Sequence, residues 1–310
     1  MKWLMRASLA LAMAWYSLTA ALPAKPQEPE EPLPDLQSFL SSVRSKLKTD
    51  NRILSSYTYR SKSTERRLDR NGQTTKTEVK IYDVFHDREP DTTYRRLIEE
   101  DGKPVSAAEI EKQDRNYEKE RSKATRKLSK DPVKAAAQKQ REEREEQEAI
   151  DEAFALYDIT MEAREWVNGR PAIRFSFRPR PGFKARTDAG KMLAKMSGQA
   201  WFDEETQEMA RINVETLQDI SVGFGILGKL RKGARASFER RYLNNEAWLP
   251  ASAQFAGALR IMLFKGMRLE LTNEFWDYKK FTVETSVSYA ASPKNEGQQG
   301  QQGLQGQQEP

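Results

Sequence analysis

The sequence predicts an α+β protein: a strongly curved antiparallel sheet, an incomplete β-barrel, covered by an N-terminal amphipathic helix and a helical insertion. Three observations predict it. From Trp248 to Tyr289 the chain alternates: Ala251, Ala253, Phe255, Gly257, Leu259, Ile261 and Leu263 share one parity, Leu269, Leu271, Asn273 and Phe275 alternate with Arg268, Glu270, Thr272 and Glu274, and Phe281, Val283, Thr285, Val287 and Tyr289 with Thr282, Glu284, Ser286 and Ser288. A period of two with one apolar and one charged face is a half-buried antiparallel strand. Leu36, Phe39, Leu40, Val43 and Leu47 recur instead at helical spacing and form one apolar stripe. Finally, Glu109 to Ala149 is dominated by Lys, Arg and Glu, behind a Ser106-x-x-Glu109 capping box.

Residues 1–24 read as a secretory signal: Lys2 and Arg6 precede an apolar run from Ala7 to Ala21, with small residues at Ala20, Ala21 and Ala24 for cleavage. That run is short of the roughly 20 residues a membrane-spanning helix needs. Residues 25–34 form a linker in which Pro26, Pro29, Pro32 and Pro34 alternate with Glu28, Glu30 and Glu31. Asp35 is placed to cap the first helix. Tyr57 and Tyr59 open a long strand, and Asn71-Gly72 predicts a hairpin whose two central residues both take positive φ. The return strand carries Thr75, Thr77, Val79, Ile81 and Phe85; a further strand near Thr93 to Glu99 ends at Asp101-Gly102.

The insertion, about residues 106–157, reads as a solvated charged arm, helical with coiled-coil-like composition or partly disordered. Asp131-Pro132 interrupts it. Ile150, Phe154 and Leu156 restore an apolar pattern that docks. Asn168-Gly169 marks another hairpin, with Ile173, Phe175 and Phe177 alternating against Arg174, Ser176 and Arg178. Residues 291–310 are Gln/Gly-rich without apolar periodicity and are expected to be disordered.

Composition excludes several classes. The 52 basic residues are interspersed among 46 acidic ones, so the net charge of +6 is not the concentrated patch of a nucleic-acid binder. No cysteine is present, which rules out disulfides, thiolate metal sites and a cysteine nucleophile. His86 is the only histidine, so a histidine metal cluster cannot be built and a Ser-His-Asp triad would rest on that residue alone. Asp83, Asp87 and Glu89 beside it read as a polar loop. No enzyme, cofactor or metal is expected.

The stripe Leu36/Phe39/Leu40/Val43/Leu47, the strand Gly198-Gln199-Ala200-Trp201-Phe202-Asp203 with its return Met209-Ala210-Arg211-Ile212, Trp248-Leu249-Pro250 and Phe275-Trp276-Asp277-Tyr278-Lys279-Lys280-Phe281 together resemble the LolA/LolB-type lipoprotein-carrier fold, including the outer-membrane lipoprotein-sorting protein-like families. The resemblance spans residues 35–290. It implies an incomplete barrel around an apolar cavity, helices as its lid, and acyl chains as cargo in the periplasm. The charged arm is longer than such a lid, and several strand arginines compete for the carriers' lid-latching role.

The alternation nominates Tyr57, Tyr59, Val79, Ile81, Phe175, Phe177, Trp201, Ile212, Val214, Phe255, Leu271 and Phe275 as walls of the ligand cavity, beneath the lid Leu36, Phe39, Leu40, Val43 and Leu47. Phe224, Ile226 and Leu227, interleaved with glycines and followed by Lys229, Arg231 and Lys232, nominate a membrane-touching loop. The expected partner is a lipid or lipoprotein acyl chain, with an envelope protein as a possible partner of the charged arm. The alternative is a non-catalytic envelope interaction module with the same fold and a filled core.

Overall fold

The computed structural model describes residues 32–47, 53–88, 91–222, 228–260 and 266–280. The signal segment 1–24, most of the linker, the loop residues Phe224, Ile226 and Leu227, the alternating stretch Phe281 to Tyr289 and the tail 291–310 lie outside the described residues. Residues 32–35 precede the folded body and have no regular structure.

The body begins with helix α1 (Leu36–Lys46), followed by β1 (Tyr57–Leu68), β2 (Thr74–Arg88), β3 (Asp91–Glu100) and β4 (Lys103–Pro104). Helices α2 (Ala107–Lys130) and α3 (Pro132–Leu156) come next, then β5 (Tyr157–Val167), β6 (Arg170–Pro179) and helix α4 (Asp188–Leu193). The remaining strands are β7 (Met196–Asp203), β8 (Met209–Thr216), β9 (Ile220–Val222), β10 (Gly228–Leu230), β11 (Arg235–Leu243), β12 (Ala247–Arg260) and β13 (Met267–Lys280). The thirteen strands among the described residues join one antiparallel sheet in the order β4-β3-β2-β1-β13-β12-β11-β8-β7-β6-β5, with β10 pairing β12 and β9 pairing β10. The sheet has two edges, so it is not a closed barrel.

β1 and β13, the first and last described strands, pair along their whole length and join the two hairpin systems. The charged insertion therefore runs from β4 at one edge of the sheet to β5 at the other. This accounts for its length: at 1.5 Å per residue each helix is about 36 Å long. α2 starts at Ser106, whose hydroxyl accepts from the Glu109 amide at 3.3 Å, and Asp131 ends it and caps α3 through the Lys134 amide at 2.9 Å. The arm is thus two continuous helices. The coiled-coil expectation fails: a single residue joins the helices, and they meet only around that joint. Leu128 and Val133 are exposed near the joint, and the apolar residues that are covered pack on other elements. Tyr117 stacks on Tyr94 of β3 with centroids 4.2 Å apart, while Leu156 and Phe154 pack at the far end.

Turn chemistry departs from expectation at one hairpin. Asn168 and Gly169 both take positive φ (53° and 78°), the tight two-residue turn the sequence predicts. At Asn71-Gly72 only Gly72 does (83°). There Asp69 organises a longer loop, its carboxylate accepting from the Asn71 and Gln73 amides at 2.8 and 2.9 Å. His86 lies within β2 rather than in a loop, its Nδ1 3.1 Å from Thr93 Oγ1.

Gly198 is required for a different reason. A Cβ there would run into the Asn213 carbonyl oxygen and the Phe177 ring. We expect Gly198→Val to destabilise the sheet by about 1–3 kcal/mol, read as a lowered urea midpoint with an unchanged slope.

Candidate functional site

Register assigns every strand residue to one of two faces. Phe175, Ala200, Ile212, Phe238 and Ala253 are successive cross-strand partners, as are Phe177, Gly198, Val214, Ala236, Phe255 and Leu271 in the next row. These rows form an apolar band from β6 to β13. Helix α1 covers one end of it: Phe39 and Val43, 5% and 1% exposed, pack on Ile173 and Phe175, with Ile159, Met161 and Phe202 around them. Phe39 stacks on Phe175 at 5.5 Å. The band beyond α1 is half-buried.

Beside the end of α1, Leu47, Ala149, Ile150, Ala153, Phe154 and Leu193 surround a cleft of about 320 Å³, at the lower end of ligand-pocket sizes. Arg44 of α1 donates to Asp151 of α3 at 2.7 Å and lies over the Phe154 ring, tying the helix to the end of the arm. Glu152 anchors that end. It accepts from the Arg186 and Thr187 amides and the Thr187 hydroxyl, bonds that hold its carboxyl below the usual range.

The other face holds the larger hollow. A trough of about 880 Å³ is lined by β1, β5, β6, β7, β8, β11, β12 and β13, through Arg66, Asp158, Glu162, Arg178, Gln199, Asn213, Glu215, Arg235, Gln254 and Glu270 among others. The apolar face therefore supplies only a minor part of this trough's lining. Side chains alternate across a strand, so the polar residues between the apolar positions line the trough, while Val214, Phe255 and Leu271 contribute to it from positions of the opposite parity. An acyl chain laid among these charges would desolvate them without repayment.

The twelve nominated wall residues divide accordingly. Tyr57, Tyr59, Phe175, Phe177, Ile212, Val214, Phe255, Leu271 and Phe275 stand on the apolar face; Val79, Ile81 and Trp201 stand on the polar one. Tyr59, Phe275 and Tyr278 form an aromatic group far along the sheet from α1, with Tyr59–Tyr278 centroids at 5.0 Å. Burial raises the Tyr59 and Tyr278 phenols above their usual value. Trp201 donates to Glu165 at 2.8 Å, and Arg211 lies 5.5 Å over its ring. With Val167, Ala172, Ala210 and Trp248 it forms a packed cluster on the polar face at the β5–β6 turn end. The lid residues Leu36, Phe39, Leu40, Val43 and Leu47 are brought together as one contact surface. Of the trough's lining, sequence reasoning nominated only Val214, Phe255 and Leu271 and missed the polar residues, whose signal was the strict polar parity itself.

No family model matches the chain, and no curated protein matches it. Among solved structures it is similar to a DUF1329 family protein from Desulfovibrio piger, at 10% identity over 82% of this chain and 95% of that one, with a TM-score of 0.31. It is also similar to a putative outer membrane lipoprotein-sorting protein domain from Vibrio parahaemolyticus, at 8% identity over 82% and 96%, with a TM-score of 0.29. The Pseudomonas aeruginosa MucA/MucB complex gives 10% identity over 77% and 93%, with a TM-score of 0.23. These are loose likenesses of chain path and say nothing of what this chain binds.

Proposed function

We propose that this is an exported, non-enzymatic carrier or sensor that takes the acyl chain of a lipid or lipoprotein on the apolar face of its open sheet, with α1 as the movable cover. The observation that supports the reading is the apolar band: it continues past α1 as far as β13 and stays half-buried there, with an apolar cleft at its α1 end. Each methylene laid on such a surface gains roughly 0.8 kcal/mol. Displacing α1 costs the burial of Phe39 and Val43, so a chain of ordinary length is enough to offset it. Export to the periplasm rests on the basic, apolar and small-residue order of residues 1–24.

The test is native mass spectrometry and organic extraction of the full chain, purified without detergent from the envelope of the cell that makes it. The expected result is a bound acyl species in near-stoichiometric amount, reduced about tenfold in Phe255→Glu with circular dichroism unchanged, since the variant sets a charge in the band. Protein that is empty in every preparation, or equal lipid on the variant, removes the acyl reading.

A second reading, partner binding through the charged arm, is favoured by one observation: α2 buries none of its residues, and α3 buries only Glu152 and Leu156. Crosslinking from Arg126 and Lys139 in the intact envelope discriminates it; a single crosslinked protein together with empty, lipid-free chain selects this reading.

A further inference from the structure

Charged residues on the polar face are matched across strands almost everywhere. Lys62 stands opposite Glu274, Arg66 opposite Glu270, Arg235 opposite Glu215 and Arg211 opposite Glu239, each as an ion pair within 3.5 Å. One place breaks the rule. Lys229 of β10 stands directly opposite Arg260 of β12, and Arg268 of β13 stands opposite Ala258, diagonal to Arg260. All three are exposed, and none has a hydrogen-bond or ion-pair partner among the described residues. Like charges placed opposite one another destabilise a sheet. On a face that pairs its other charges this closely, three adjacent cations that no described carboxylate neutralises mark a position suited to an added anion.

We infer that Lys229, Arg260 and Arg268 form an oxyanion site of the phosphate class. They sit on the trough's own face, directly beyond Ala256 and Glu270, which line it. A phosphate there accepts charge-assisted hydrogen bonds from two guanidinium forks and an ammonium, and the remainder of a larger polar ligand extends into the trough beside Gln254 and Asn213. The site lies on the opposite face from the apolar band and does not depend on the acyl reading. Its phosphate can come from a lipid headgroup or from a soluble phosphate.

The experiment uses the full chain and two probes. Inorganic pyrophosphate is titrated calorimetrically, and vesicles of phosphatidylglycerol in phosphatidylcholine, or of phosphatidylcholine alone, are co-sedimented. The variants are Arg260→Glu/Arg268→Glu and the charge-matched control Arg126→Glu/Lys127→Glu on α2. We expect the first variant to lose about tenfold or more in affinity and the control to lose much less, with binding weakened as salt is raised. Loss on pyrophosphate identifies a soluble phosphate, loss on anionic vesicles alone identifies a headgroup, and either supports the site. Arg260→Gln/Arg268→Gln guards against misfolding: it removes the repulsion, so it should melt no lower than the wild type and still lose binding. Equal losses in the site variant and the control, or no binding of either probe by the wild type, overturns the inference.

Discussion

Trp248→Ala is expected to cost about 3–5 kcal/mol, read from urea denaturation of the full chain. Trp248 is 2% exposed and packs on Val167, Ala172, Trp201 and Ala210. Its indole donates to Thr206 Oγ1 at 2.9 Å, and its carbonyl accepts from the Arg240 guanidinium at 2.7 Å. Tyr242 leans on the ring at 5.5 Å. Truncation therefore opens a cavity beside two groups that have already given up water. It also loosens the cluster holding Trp201 on the trough face. Trp248→Phe keeps most of the packing and loses the Thr206 bond, so it should cost about 1–2 kcal/mol. A cost below 1 kcal/mol for the alanine variant would mean that this end of the sheet is held by something other than the Trp248 cluster.

Much of this architecture was legible because alternation is local. The strands Gly198 to Asp203, Met209 to Thr216 and Met267 to Lys280 lie where period-two patterning puts them, and the α1 stripe meets Ile173 and Phe175 as its spacing required. The side of the sheet that hollows was not legible, because parity separates two faces without saying which is concave. Trp201 shows a second limit. In Ala200-Trp201-Phe202 both parities are apolar, and one of them belongs to the satellite core on the polar face. Non-local pairing set the third limit. β1 meets β13 across almost the whole chain, and only that junction shows that the charged arm must reach from one sheet edge to the other. Asn71-Gly72 misled for a local reason: the carboxylate of Asp69, two residues earlier, chose a longer loop than the dipeptide alone suggests.

Asp203→Ala should be as damaging as the loss of Trp248, and for an electrostatic reason. The carboxylate, fully buried, takes two bonds from the Arg170 guanidinium at 2.7 and 3.1 Å and one from the Thr206 amide at 2.7 Å. Removing it strands Arg170, which also lies over the Tyr242 ring, with only the exposed Glu205 as an acidic partner among the described residues. Breaking a buried pair in this way costs about 3–5 kcal/mol. The same bonds set the pH response. Burial by itself pushes the Asp203 carboxyl up, but the bonds from Arg170 and Thr206 outweigh it and hold the group below its usual value. A carboxyl depressed in the folded state stabilises fully above its unfolded pKa, about 3.9, and that stabilisation is lost as pH falls through the folded value. The difference in unfolding free energy between wild type and Asp203→Asn should accordingly be constant from pH 7 to about 5 and shrink below pH 4. A difference that grows on acidification would reverse the sign and show that burial, not Arg170, governs this carboxyl.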